Sequence, residues 1–191
     1  MELKASTWMK TTRLPSNPAL ELILICLLIS LEKDLQPKHF LSSNWLSQPM
    51  SSIFLKQQPL KQLFLQDIHK YEDVYGPIAK NSLVIAYTGW SKHWPNSKTY
   101  RNETKFPVFG LPAIELLKAR KIAGVAIDTL ALEKLGGTYP GHKLLMGAGV
   151  YIIENIANCS QLPPKGATVI ALPLKVESLR EVPARVIALI P

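Results

Sequence analysis

The spacing of hydrophobic positions changes several times along the chain, and each change predicts an element. From Leu65 to Tyr75, apolar residues fall at Leu65, Ile68, Tyr71 and Val74 or Tyr75. That is the three-and-four spacing of a helix with one buried side. Gly76 stands at its C-cap, and Pro77 stops it. Ser82 to Tyr87 is a short continuous β-prone run, read as a buried strand that ends at Thr88-Gly89. Leu111 to Arg120 returns to helical spacing. Pro112 suits the first turn, Ile114, Leu117 and Ile122 mark the buried side, and Gly124 is read as its end. Val125 to Asp128, Val150 to Ile153, Thr168 to Leu172 and Ala184 to Ile190 read as further strands, with a short helical turn at His142 to Met146. Residues 36–62, rich in Pro, Ser and Gln and without a period, read as irregular, and Trp90 to Phe109 reads as a loop with aromatics. Helices alternate with strands in the middle and strands dominate the end, so the fold class is α/β with a mixed sheet.

The run Ala19 to Leu31 is strongly apolar. By length it suits a buried helix or strand, because a membrane span needs about 20 apolar residues. Lys4, Lys10 and Arg13 precede it as they would the core of a secretory signal or anchor, although Ser30-Leu31-Glu32-Lys33 is not a small-residue cleavage site. Sequence unrelated to the rest of the chain is the third reading. Residues 1–35 are therefore set apart as an N-terminal segment of uncertain origin, and residues 36–191 are read as one domain. The location expected is cytoplasmic, with a secreted or membrane-associated form through residues 19–31 as the alternative.

Composition narrows this little. At 191 residues, 47% hydrophobic and 19% charged, the chain can bury a core and is no solvating, disordered polymer. The net charge of +8 comes from scattered Lys and Arg. The tightest group, Lys118, Arg120 and Lys121, closes a helix, where positive charge suits the dipole. Without a basic stripe, no nucleic-acid partner is expected, whereas small anionic substrates fit. Cys26 and Cys159 lie too far apart for a local zinc pair and read as buried thiols in a reducing compartment.

In an α/β sheet, ligands meet the carboxyl ends of strands. Asp128 and Glu154 lie at two such ends, and His142 precedes Glu154 across the turn Gly147-Ala-Gly149. Imidazole and carboxylate together suit a divalent cation such as zinc or manganese. Taken alone, the His and Glu read equally as a hydrogen-bonded pair, and Asp128 as a turn or capping residue.

Several segments add to this in order. They are Val84-Ile-Ala-Tyr-Thr-Gly-Trp90-Ser-Lys with Trp94-Pro and Tyr100, and Gly124-Val-Ala-Ile-Asp-Thr129-Leu. Then come Tyr139-Pro-Gly-His142-Lys-Leu-Leu with Gly147, and Tyr151-Ile-Ile-Glu154-Asn-Ile-Ala-Asn158. Leu162-Pro-Pro-Lys-Gly166-Ala, Ala171-Leu-Pro-Leu-Lys-Val and Pro183-Ala-Arg185-Val-Ile-Ala complete the series. From about Leu60 to Pro191 the chain resembles the cyclase family of metal-dependent hydrolases, the group that contains bacterial-type kynurenine formamidase. The resemblance implies a swivelling β/β/α domain assembled as homo-oligomers, and hydrolysis of a small-molecule amide such as N-formylkynurenine. It also implies that His142 is an active-site histidine near the metal and Glu154 a metal ligand.

The resemblance breaks toward the N-terminus. The family's motif His-x-Gly-Thr-His-x-Asp-x-Pro-x-His has one counterpart here, Asp34-Leu-Gln-Pro37-Lys-His39-Phe40, and no histidine precedes His39. His39 matches the proton-transferring histidine. Asp34 is the candidate for the carboxylate ligand, one position too far from the proline. After Pro59-Leu-Lys-Gln-Leu63 the chain passes almost directly into the next helix, where the family has a further strand and loop, so the domain is expected to be incomplete at this end. Ala131 and Glu133 stand where Ser and Asp are common. Two functions follow: an arylformamidase-like amide hydrolase with His142 and His39 as catalytic residues and Glu154, His142 and Asp34 around a zinc or manganese ion, or an inactive homologue that serves as an interaction partner. Trp90, Trp94, Tyr100, Phe106 and Phe109 suit an aromatic pocket or the packing of a long loop.

Overall fold

Three parallel strands form the structural centre of the chain: β5 (Leu83–Tyr87), β7 (Gly124–Ile127) and β8 (Tyr151–Ile153). Nearly every residue in them is buried, as expected for strands covered on both faces. The computed structural model describes residues 12–13, 20–22, 50–56, 62–102, 105–174 and 181–191. Within these, the main sheet runs in the order β1-β2-β10-β9-β3-β5-β7-β8. β3 (Met50–Lys56) is parallel to β5 and antiparallel to β9 (Lys165–Pro173). The antiparallel arm continues through β10 (Ala184–Leu189) to β2 (Leu20–Leu22) and β1 (Thr12–Arg13). A second, two-stranded sheet pairs β4 (Gln62–Leu63) with β6 (Val108–Phe109). The mixed α/β architecture expected from the sequence is thus observed.

Alternate residues of the parallel strands enter two separate cores. Val84, Ala86, Val125, Ile127 and Ile152 pack under three helices: α1 (Leu65–Tyr75), α3 (Leu111–Ala119) and α4 (Pro140–Met146). A shorter helix, α2 (Ser97–Arg101), lies in the loop after β5. Leu83, Ile85, Ala126, Tyr151 and Ile153 join Val169, Ala171, Val186 and Ala188 of the antiparallel arm in the other core. Those arm strands alternate buried and exposed positions, unlike the central three.

The helices end as their residues dictate. Asp67 accepts a hydrogen bond from the Phe64 N–H at 2.8 Å, closing the first turn of α1. Gly76 takes φ 85° at its C-cap. The basic group at the end of α3 has a definite partner. Arg120 forms a two-pronged ion pair with Glu72 of α1, with Nε–Oε1 at 2.7 Å and Nη2–Oε2 at 2.8 Å. Hydrogen bonding to Arg120 holds the Glu72 carboxyl below the usual carboxylate range, against a smaller upward effect of burial.

Two expectations are corrected. Residues 36–62 are not wholly irregular, because β3 lies within them and β4 starts at Gln62. Gly124 does not end α3; the chain reverses through Lys121 at φ 56°, and Gly124 opens β7. Glycine is needed there because a Cβ would lie 2.3 Å from the Tyr151 ring. Among the described residues, no helix is long and apolar enough to cross a membrane. Of the run Ala19 to Leu31, only Leu20–Leu22 is described, as β2; Cys26 lies outside the described residues. Cys159 is a free, fully buried thiol.

Candidate active site

β5, β7 and β8 run in parallel and end side by side, so the residues after them, Thr88, Asp128 and Glu154, meet along one edge of the sheet. Two polar clusters form there.

The first cluster holds the loop after β5. Asp128 is fully buried. Its Oδ1 accepts from the Thr88 N–H at 2.8 Å and the Thr88 hydroxyl at 2.6 Å, and its Oδ2 accepts from the Ser91 N–H at 3.2 Å. Burial pushes its carboxyl above the ordinary carboxylate value, although these hydrogen bonds pull it down. The Tyr100 hydroxyl donates to Asn155 Oδ1 at 2.9 Å and lies 3.4 Å from the Asp128 carbonyl. The Trp90 indole N–H donates to the Tyr100 carbonyl at 2.9 Å. Asp128 therefore serves as a capping residue for this loop, one of the roles its sequence position suggests. Tyr100, Phe106 and Phe109 are core residues, whereas Trp90 and Trp94 are half-buried.

The second cluster is built around His142. This residue lies in the first turn of α4, where Pro140 fixes the entry and Tyr139 precedes it at φ 53°. Its Nδ1 is 2.8 Å from Glu133 Oε2, and its Nε2 is 3.3 Å from Glu154 Oε1. The Tyr139 ring meets the imidazole edge-on with centroids 5.6 Å apart. Glu154 is fixed in turn, since its Oε1 accepts the Leu132 N–H at 2.6 Å. The three side chains are only 10–13% exposed. Burial disfavours the imidazolium, but the hydrogen bonds to Glu154 and Glu133 outweigh it and raise the pKa of His142 above its ordinary value.

His142 and Glu154 are thus brought together, as the sequence suggested. Asp128 stands apart and carries structure. Asp34 and His39 lie outside the described residues. Glu133 and Asn155 were missed. Glu133 had been noted only as a departure from a family Asp, and an acid retained at that position was the signal available.

The donor chemistry of His142 Nε2 and Glu154 suits zinc or manganese, and a carboxylate on the far nitrogen is the usual support of a metal-bound histidine. The number of donors does not suffice. A catalytic zinc takes three protein ligands, and the described residues contain no group of three or more His, Cys, Asp or Glu placed to hold a metal.

Comparison with known proteins bears on the family and the fold. The model of the family named Cyclase matches residues 34–134, more than half of the chain. An isatin hydrolase from Roseibium aggregatum is 31% identical over 133 residues, covering 65% of this chain and 51% of that protein. The chain spans about half the length of the curated relatives it matches. Among solved structures, isatin hydrolase A from Labrenzia aggregata, bound to benzyl benzoate, superposes with a TM-score of 0.76 at 25% identity, over 86% of this chain and 72% of that one. A structure described as a potential metal-dependent hydrolase with cyclase activity shares the fold, with a TM-score of 0.63 at 23% identity over 85% of this chain and 77% of that one.

Proposed function

Since this chain belongs to the cyclase family, we propose that it is a metal-dependent hydrolase that cleaves an amide bond attached to an aromatic ring. The observation that carries this reading is the convergence of His142 and Glu154 at the carboxyl edge of the sheet. The substrate class draws on two sources. An arylformamide and isatin, the substrate named for the relatives, both carry an amide nitrogen on a benzene ring. Trp90 and Trp94 are the half-buried aromatic surfaces on the adjoining loop that suit such a ring.

His142 and Glu154 would hold zinc or manganese, with Asp34 as a further ligand and His39 transferring the proton. When bound, the ion lowers the pKa of a water and polarises the amide carbonyl. The chain's own contribution is orientation and charge. Glu133 and Glu154 place negative charge on both sides of the imidazole, a field that favours a cation at Nε2. The Leu132 N–H fixes the carboxylate that faces that point.

The lack of any histidine before His39 favours a second reading, an inactive homologue that acts through protein contacts. Titration of the full-length, metal-free chain with Zn²⁺ or Mn²⁺, followed by calorimetry and elemental analysis, separates the two. The hydrolase reading expects one tightly held ion per active centre. Complete absence of saturable binding would leave the inactive homologue.

A further inference from the structure

We propose that Glu133 is the positioning residue of this centre: it locks His142 with the proton on Nδ1 and so turns the Nε2 lone pair toward Glu154. Its importance for hydrolysis rests on the function proposed above, but the locking itself does not.

Glu133 is placed by three hydrogen bonds that converge on one carboxylate. Its Oε1 accepts from the Gly141 N–H at 2.9 Å, and its Oε2 accepts from the His142 N–H at 2.8 Å. The same Oε2 is 2.8 Å from His142 Nδ1. One side chain thus holds both the backbone and the ring of a single residue, which leaves the imidazole little freedom to turn. The local sequence protects this approach. A Cβ at Gly141 would lie 2.9 Å from the Glu133 carboxyl carbon and Oε1, and 2.4 Å from Ile114 Cδ1. Glycine lets the carboxylate reach the helix.

The competition between the two ring nitrogens is decided by distance. Glu133 Oε2 is closer to the ring than Glu154 Oε1, at 2.8 Å against 3.3 Å, and each of these oxygens already accepts one backbone N–H. A neutral ring therefore keeps its proton on Nδ1, which is the tautomer a metal ligand or proton acceptor at Nε2 requires.

Long-range ¹H–¹⁵N NMR of the imidazole nitrogens tests this on the full-length, metal-free chain, at a pH high enough to leave the ring neutral. The wild type is expected to show a protonated Nδ1 and an unprotonated Nε2. In Glu133→Gln, a single amide oxygen faces the three N–H groups that two carboxylate oxygens served. The His142 nitrogen shifts are expected to move toward a mixture of tautomers, and the backbone spectrum elsewhere to stay unchanged. Identical ring shifts in a folded Glu133→Gln chain would overturn the proposal. Should that variant not fold, Gly141→Ala, which displaces the carboxylate by its added methyl group, is expected to move the same shifts. As a second readout, Mn²⁺ affinity should fall about 10–100-fold in Glu133→Gln, the usual cost of losing an outer partner of a metal-binding histidine. If the wild type binds neither Mn²⁺ nor Zn²⁺, the function proposed above fails and the NMR result still stands or falls alone.

Discussion

Asp128→Ala should lower stability by about 3 kcal/mol, a fall of roughly 10 °C in the thermal midpoint for a chain of this size. The substitution removes one carboxylate that satisfies two N–H groups and a hydroxyl: Thr88 N–H, Ser91 N–H and Thr88 Oγ1. Each of these donors is partly buried, and leaving a buried donor unmet costs about 1–3 kcal/mol. The loss is partly offset, because burial already disfavours the charge of Asp128. Asp128→Asn tests this balance. Its amide oxygen can still accept from both Thr88 donors, and only the Ser91 contact is lost, so it should cost about 1 kcal/mol. Chemical denaturation of the wild type and both variants gives the comparison. Equal losses for Ala and Asn would show that charge, and not hydrogen-bond acceptance, holds the loop after β5.

His142→Ala should reduce amide hydrolysis more than about 100-fold, beyond the roughly 10–100-fold expected for the loss of an outer partner. The nitrogen removed is the one that faces Glu154, and no other described residue replaces it. The fold should survive. Glu133 keeps the backbone N–H groups of residues 141 and 142, and Glu154 keeps the Leu132 N–H. Steady-state rates measured beside circular dichroism separate the two effects. Retained turnover in a folded variant would remove His142 from the chemistry.

Much of the framework was legible because local pattern and tertiary environment agree. Leu83–Tyr87 and Gly124–Ile127 are uninterrupted β-prone runs, and the sheet buries them on both faces. The helix at Leu65–Tyr75 has its apolar stripe, and glycine stands at its positive-φ C-cap. β3 escaped notice for a physical reason. Met50–Lys56 begins Met-Ser-Ser and follows a Pro- and Gln-rich stretch, so no period marks it, and its strand state comes from distant partners in β5 and β9. Gly124 was misread because its need for a bare Cα arises from Tyr151, a contact that spacing does not reveal.

The candidate site was legible in part for the same reason. Glu154 could be named because it follows a recognisable strand end, and His142 because it precedes Glu154 across the turn Gly147-Ala-Gly149. Glu133 could not be given a role, since its carboxylate reaches His142 only when the turn through Gly136 and Tyr139 brings the chain back onto α4. Asp128 sits at a strand end just as Glu154 does, yet serves the loop. Which strand-end carboxylate faces the centre depends on the partners that fold around it.

The most direct measurement is product formation by the full-length chain, supplied with Zn²⁺ or Mn²⁺, on isatin and on a simple arylformamide, followed by ultraviolet absorbance and mass spectrometry. Many turnovers per chain are expected on at least one of them, and none without added ion. A folded chain that binds the ion and leaves both amides intact would contradict the hydrolase reading.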